Sequence, residues 1–102
     1  MEKYVYLIRS EETDKYKIGH SKNPKKRLKE LQTGNGGKLK IVETFKSEYY
    51  LQIEKSLQNK FNHLNVEGEW FSFGIEEEMS FLNQCQKIET AFKSINNDIN
   101  IL

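Results

Sequence analysis

Tyr16-Lys17-Ile18-Gly19-His20-Ser21-Lys22-Asn23-Pro24-Lys25-Lys26-Arg27-Leu28 reads as a short strand that turns at a glycine and enters a capped, basic helix. The rest of the chain is organised around it. Asn23 offers a side-chain oxygen to the free amides of a first helical turn, and Pro24 stands where its missing N–H costs nothing. The helix therefore starts at Pro24. At 100° per residue, Arg27 falls roughly 40° from Leu31 and roughly 100° from Leu28. Lys25, Lys26 and Lys29 project from the far side, so Arg27 alone among these cations borders the apolar stripe. One account of it is a stem that covers apolar surface with its head in water. The other is a planar guanidinium fork aimed at phosphate oxygens.

Upstream, Lys3-Tyr4-Val5-Tyr6-Leu7-Ile8 is aromatic and β-branched on both faces, the pattern of a central strand covered on two sides. The polar stretch Ser10 to Asp14 makes it and Lys15–Gly19 an antiparallel hairpin. In the second strand Lys15, Lys17 and Gly19 share one face, and Tyr16, Ile18 and His20 the other. Downstream, the helix ends near Gln32 or Thr33 because Gly34-Asn35-Gly36-Gly37 breaks it. That loop lacks the lysine and hydroxyl of a P-loop and reads as a flexible connection near a ligand. Leu39 to Phe45 alternates well enough for a third strand.

Ser47 is placed to cap a helix from Glu48 to about Asn62, whose apolar side is Tyr50, Ile53, Leu57, Phe61 and Leu64. Glu54 falls roughly 40° from Tyr50 on the wheel, inside that stripe. An unpaired carboxylate there would cost several kcal/mol, so something must compensate it. The compensation is either a structural ion pair or hydrogen bond, or a cation held at the rim of a pocket. Glu67-Gly68-Glu69-Trp70-Phe71-Ser72-Phe73 then turns into a cluster of large apolar side chains that closes the core. A last helix from Ile75 to about Ile95 carries Phe81, Cys85, Ile88, Phe92 and Ile95, with Met79 and Leu82 widening the stripe, before a loose tail from Asn96 to Leu102. So wide a stripe suits docking on the same domain better than a coiled-coil seam with a second copy, although a homodimer through this helix stays open.

The expected architecture is α+β: a small antiparallel three-stranded sheet flanked by helices over residues 1–74, with a C-terminal helix and tail over 75–102 packed on it. The 102 residues leave room for one core. No signal peptide or membrane span is evident, and the single cysteine, Cys85, has no internal disulfide partner, which suits a reducing cytoplasm. Cys85 without CxxC spacing, beside two histidines, also argues against a structural zinc site. Net charge is only +1, but residues 1–46 hold 12 Lys/Arg against 6 Asp/Glu, whereas residues 47–102 hold 4 against 9. A one-sided basic surface is the footprint of phosphate binding.

Taken in order, strand Tyr4-Val5-Tyr6, strand Lys17-Ile18-Gly19, a helix with Arg27 and a later helix with Glu54 resemble the GIY-YIG endonuclease superfamily. Asn23-Pro24-Lys25-Lys26-Arg27-Leu28 is similar to the first helix of the UvrC repair nuclease domain, and Ser47 through Leu57 to its glutamate-bearing helix. Gly68-Glu69-Trp70-Phe71 is similar to a small phage and microbial branch of Orf172-like DNA-binding domains. The resemblance covers roughly residues 3–73. It implies a DNA endonuclease in which Tyr6 is the tyrosine of the first motif, Arg27 the catalytic arginine and Glu54 the ligand of one Mg²⁺ or Mn²⁺. Tyr4 stands where the first motif has glycine, and Lys17 where the second has tyrosine. Lys17 could still bring a positive charge or a proton-transfer group to that space, and His20 a hydrogen bond to phosphate or nucleophile. Tyr6, made acidic by Lys17 or the metal, would take or relay a water's proton. Lys22, Asn23, Lys25, Lys26 and Lys29 would contact the DNA backbone. The alternatives are a DNA-binding module of the same fold that does not cut, and an interaction module using the last helix.

Overall fold

The computed structural model describes the backbone of residues 2–101 and the side chains of residues 2–96. Strands β1 (Tyr4–Ser10) and β2 (Tyr16–Ser21) form the expected antiparallel hairpin, with Tyr6 opposite Gly19 and Leu7 opposite Ile18. Helix α1 (Pro24–Thr33) follows, then β3 (Leu39–Lys46), which pairs antiparallel with the other edge of β1 through a bulge at Leu7/Ile8. Helix α2 (Tyr50–Lys60) leads through a 3₁₀ turn (Asn62–Leu64) into β4 (Asn65–Glu67) and β5 (Trp70–Phe71), and α3 (Ile75–Ile101) closes the chain. The sheet has five strands in the order β3-β1-β2-β5-β4. The expected three strands are the first three in that order. The two extra strands are three and two residues long, too short to carry a period, and exist because β5 finds β2 at Tyr16↔Phe71 and Lys17↔Trp70.

Local signals account for the helix starts. Asn23 Oδ1 accepts from the Lys26 amide at 3.1 Å with Pro24 in the first turn. Ser47 Oγ accepts from the Tyr49 amide at 3.0 Å, so it caps a turn that precedes α2, and the helix begins at Tyr50 rather than Glu48. The glycine-rich loop is not a loose connection. Gln32 holds it from inside, its Nε2 donating to the Gly37 carbonyl at 2.7 Å and its Oε1 accepting from the Leu39 amide at 2.8 Å.

β1 divides the interior. Val5 and Leu7 face Tyr16, Ile18, Ile53, Leu57, Phe61, Phe71, Phe73, Phe81 and Cys85 under α2 and α3, whereas Tyr6, Ile8 and Leu39 pack with Leu28, Leu31, Ile41 and Trp70 under α1. Burial pushes the Cys85 thiol up to about 12, leaving it a packing group. Helix α3 runs on to Ile101 where a tail was expected after Ile95; no glycine or proline stops it, and Asn96 Nδ2 donates to the Tyr49 hydroxyl at 2.7 Å. Leu102 lies outside the described residues. Phe81 and Cys85 are buried in the core under α3, but Met79 is 78% exposed and Ile75, Leu82 and Ile95 are exposed too. The helix is longer than the sheet is wide, so its apolar stripe is covered along one line only.

Tyr16 offers a test of this packing. Its hydroxyl donates to Glu78 Oε1 on α3 at 2.8 Å, and burial, reinforced by that carboxylate, pushes its phenol up to about 12 from an ordinary value of 10.0. The fold favours the neutral phenol, so the stability this contributes is complete below pH 10.0 and is lost as pH rises through about 12. The urea midpoint should fall between pH 8 and pH 11, and Tyr16→Phe should start lower but fall by less over the same range.

Candidate functional site

The alternation of β1 and β2 decides which sequence-predicted residues can meet. Tyr6 points toward α1 and is 2% exposed. Its ring lies across Gly19: a Cβ at Gly19 would come within 2.9 Å of Tyr6 Cε1 and closer still to the phenol oxygen. Side chains larger than hydrogen are therefore excluded there. The Arg27 guanidinium adjoins the Tyr6 hydroxyl, so the helix residue at the edge of the apolar stripe does reach inward. Its other neighbour is Glu30 at 3.5 Å, one turn along.

Burial raises the Tyr6 phenol above its ordinary value; Arg27 opposes the rise, and the charges of Glu69 and Glu54 add to it. The expected acidifying effect of Lys17 on this tyrosine is not found. Lys17, on the same face and only 9% exposed, is committed elsewhere: its Nζ lies 2.9 Å from Glu69 Oε1 and 5.5 Å from the centre of the Trp70 ring. At neutral pH Tyr6 is a proton donor.

His20 and Glu54 meet on the opposite face. His20 Nδ1 lies 2.7 Å from Glu54 Oε2, with the Tyr50 ring 5.2 Å from the imidazole, and the Glu54 side chain is 13% exposed. His20 is the compensation that the embedded carboxylate required. Glu54 thus holds the ring through Nδ1, and Nε2 is the nitrogen left for another partner. The two pairs, Tyr6 with Arg27 and His20 with Glu54, lie back to back across the end of β2. Because β5 pairs only with Tyr16 and Lys17, Gly19 to Ser21 extend past it, and the Glu54 charge is felt at the Tyr6 phenol.

Lys22, Lys25, Lys26 and Lys29 are exposed and make no ion pair among the described residues. Asn23 has a structural task, its oxygen capping α1 and its own N–H donating to Ser21 Oγ at 2.9 Å. Among the described residues no three His, Cys, Asp or Glu side chains gather to hold a metal. A metal here would rest on Glu54, whose second carboxylate oxygen is not committed to His20, and otherwise on water. Hard divalent ions such as Mg²⁺ and Mn²⁺ accept such a sparse oxygen set, since they keep several waters.

Glu69 and Trp70 belong to this region although sequence reasoning placed them only in the core closure. Nothing in a two-residue strand signals that it will lie beside Lys17.

The fold and site define a small α+β domain with a basic helix over a tyrosine–arginine pair and a histidine–glutamate pair at its flank. The model of the T5orf172 domain family matches residues 3–88, and the chain belongs to that family. The match reaches into α3, beyond the stretch the motifs alone covered. No curated protein and no solved structure matches the chain.

The contact of Tyr6 with Gly19 gives a prediction. Gly19→Ala should destabilise the fold by about 1–3 kcal/mol, as overpacking does. Adding Tyr6→Leu should recover part of that loss. A double-mutant cycle of urea unfolding reads the coupling, and additive losses would place the ring elsewhere.

Proposed function

We propose that this domain binds DNA and hydrolyses its phosphodiester bonds with a divalent metal, Mg²⁺ or Mn²⁺. The observation that carries this is a histidine-held carboxylate on one face of the end of β2 and an arginine–tyrosine pair on the other, beside a helix whose lysines make no ion pair among the described residues. Membership in the T5orf172 family, which is related to GIY-YIG-like domains, supports it.

Arg27 neutralises the nonbridging oxygens of the scissile phosphate, with a fork suited to two of them. Tyr6, which keeps its proton, donates to the same phosphate. His20 Nε2 accepts the proton of the attacking water, its ring held by Glu54 through Nδ1. The other oxygen of Glu54 would hold a hard divalent ion, which would supply Lewis acidity for the displacement. Lys22, Lys25, Lys26 and Lys29 hold the backbone on either side without reading sequence.

A second reading, a DNA-binding module that does not cut, is favoured by Lys17. Where the GIY-YIG pattern has tyrosine, Lys17 is spent on Glu69, leaving one fewer group to move a proton.

A plasmid cleavage assay with Mg²⁺ or Mn²⁺ separates the two. Glu54→Gln should abolish cleavage while DNA affinity is retained, and Arg27→Ala should slow it about 10²–10³-fold, as loss of a preorganised charge does. Cleavage by Glu54→Gln at the wild-type rate would remove Glu54 from the site. Absence of cleavage by the wild type, with DNA affinity intact, would select the second reading.

Binding has its own signature. Neutralising Lys22, Lys25 and Lys26 together should reduce the slope of log affinity against log salt by about one for each lysine. An unchanged slope would put the DNA path on another surface.

A further inference from the structure

Beside Tyr6 and Arg27, on the same side of the sheet, lies a cleft of about 420 Å³ that the proposed chemistry does not use. Its floor comes from the sheet, with Tyr4, Ile41 and Thr44. Its other wall is the approach to α1, where Pro24 stands between Lys22 and Lys25. Tyr4 is two residues from Tyr6 on the same face of β1, and Thr44 is the register partner of Tyr6. The cleft therefore opens on the face of the sheet that carries Tyr6.

We infer that this cleft takes a single unpaired nucleobase, so that the DNA this domain prefers has a single-stranded end or junction; the inference rests on the DNA reading above. A phosphate by itself would use the two ammonium groups and have no use for an aromatic and aliphatic floor. A base needs both, a ring and flat apolar surface for its π-face and cations for the phosphates beside it. The Tyr4 hydroxyl is engaged with Glu2 Oε2 at 3.2 Å, so what Tyr4 offers the cleft is its ring. The acid that touches Tyr4 is itself neutralised, with Glu2 Oε1 paired to Lys46 Nζ at 2.6 Å. Lys22 and Lys25 remain as unpaired charge at the rim among the described residues. Duplex DNA keeps its base faces stacked and would leave the floor empty. Only an unpaired base can lay a face on Tyr4.

The test uses the full chain, with EDTA present so that nothing is cut, and two hairpin oligonucleotides with equal numbers of phosphates. One is blunt; the other ends in a short single-stranded overhang carrying 2-aminopurine. Fluorescence anisotropy should show the overhang bound on the order of tenfold more tightly, the effect of stacking one base, and 2-aminopurine emission should drop on binding. Tyr4→Ala should bring the ratio of the two affinities close to one. Tyr4→Leu, which keeps apolar bulk without a ring, should do the same and abolish the quench. Equal affinities with unchanged emission in the wild type would overturn the inference while leaving DNA binding in place. So would a Tyr4→Leu protein that keeps both the ratio and the quench. Failure to bind either oligonucleotide would overturn the DNA reading and this inference together.

Discussion

Burial of β1 on both faces is the constraint from which the remaining arrangement follows. Val5, Tyr6, Leu7 and Ile8 are all interior, so α1 must cover one side of the sheet and α2 with α3 the other, and every residue of β2 is assigned to a layer by its register with β1. Tyr6 can be interior only because Gly19 opposite it has no side chain. The same strand thus builds the core and delivers a phenol to the underside of α1. Packing and chemistry share one set of contacts here, and a change in the first alters the second.

The resulting site differs in character from a pocket in which all functional groups face one another. Arg27 and Tyr6 lie on one side of β2, and His20 and Glu54 on the other, at a strand end that β5 does not reach. Low dielectric surroundings raise the Tyr6 phenol and make Glu54 dependent on His20. Burial therefore keeps the Tyr6 phenol a donor, and His20 is held through Nδ1 with its Nε2 not engaged by Glu54. This division arises from the alternation of a six-residue strand.

The long C-terminal helix shows how a periodic pattern can overstate burial. Phe81 and Cys85 are fully buried, but Ile75, Met79 and Leu82, three to four residues apart on an adjoining line, face solvent. A stripe of given width demands an equally wide surface, and this sheet with α2 supplies only a narrow one.

Much of this was legible in the chain. The start of α1 at Pro24 was readable because Asn23 and Pro24 act on their own backbone neighbours, and strands β1 to β3 because their apolar patterning is local. Arg27 at the stripe edge and Glu54 inside its stripe were readable as anomalies for the same reason: helical geometry fixes the angle of each residue without knowledge of what it packs against. Even the partner of Glu54 was within reach, since His20 shares a strand face with Tyr16 and Ile18. What only the tertiary structure decided were the relations between distant segments: the pairing of β5 with β2, the engagement of Lys17 by Glu69, and the raised phenol of Tyr6. Strands of two and three residues carry no period, and a side chain's charge partner and degree of desolvation depend on which surfaces come together, so these properties belong to the folded chain and to no segment of it.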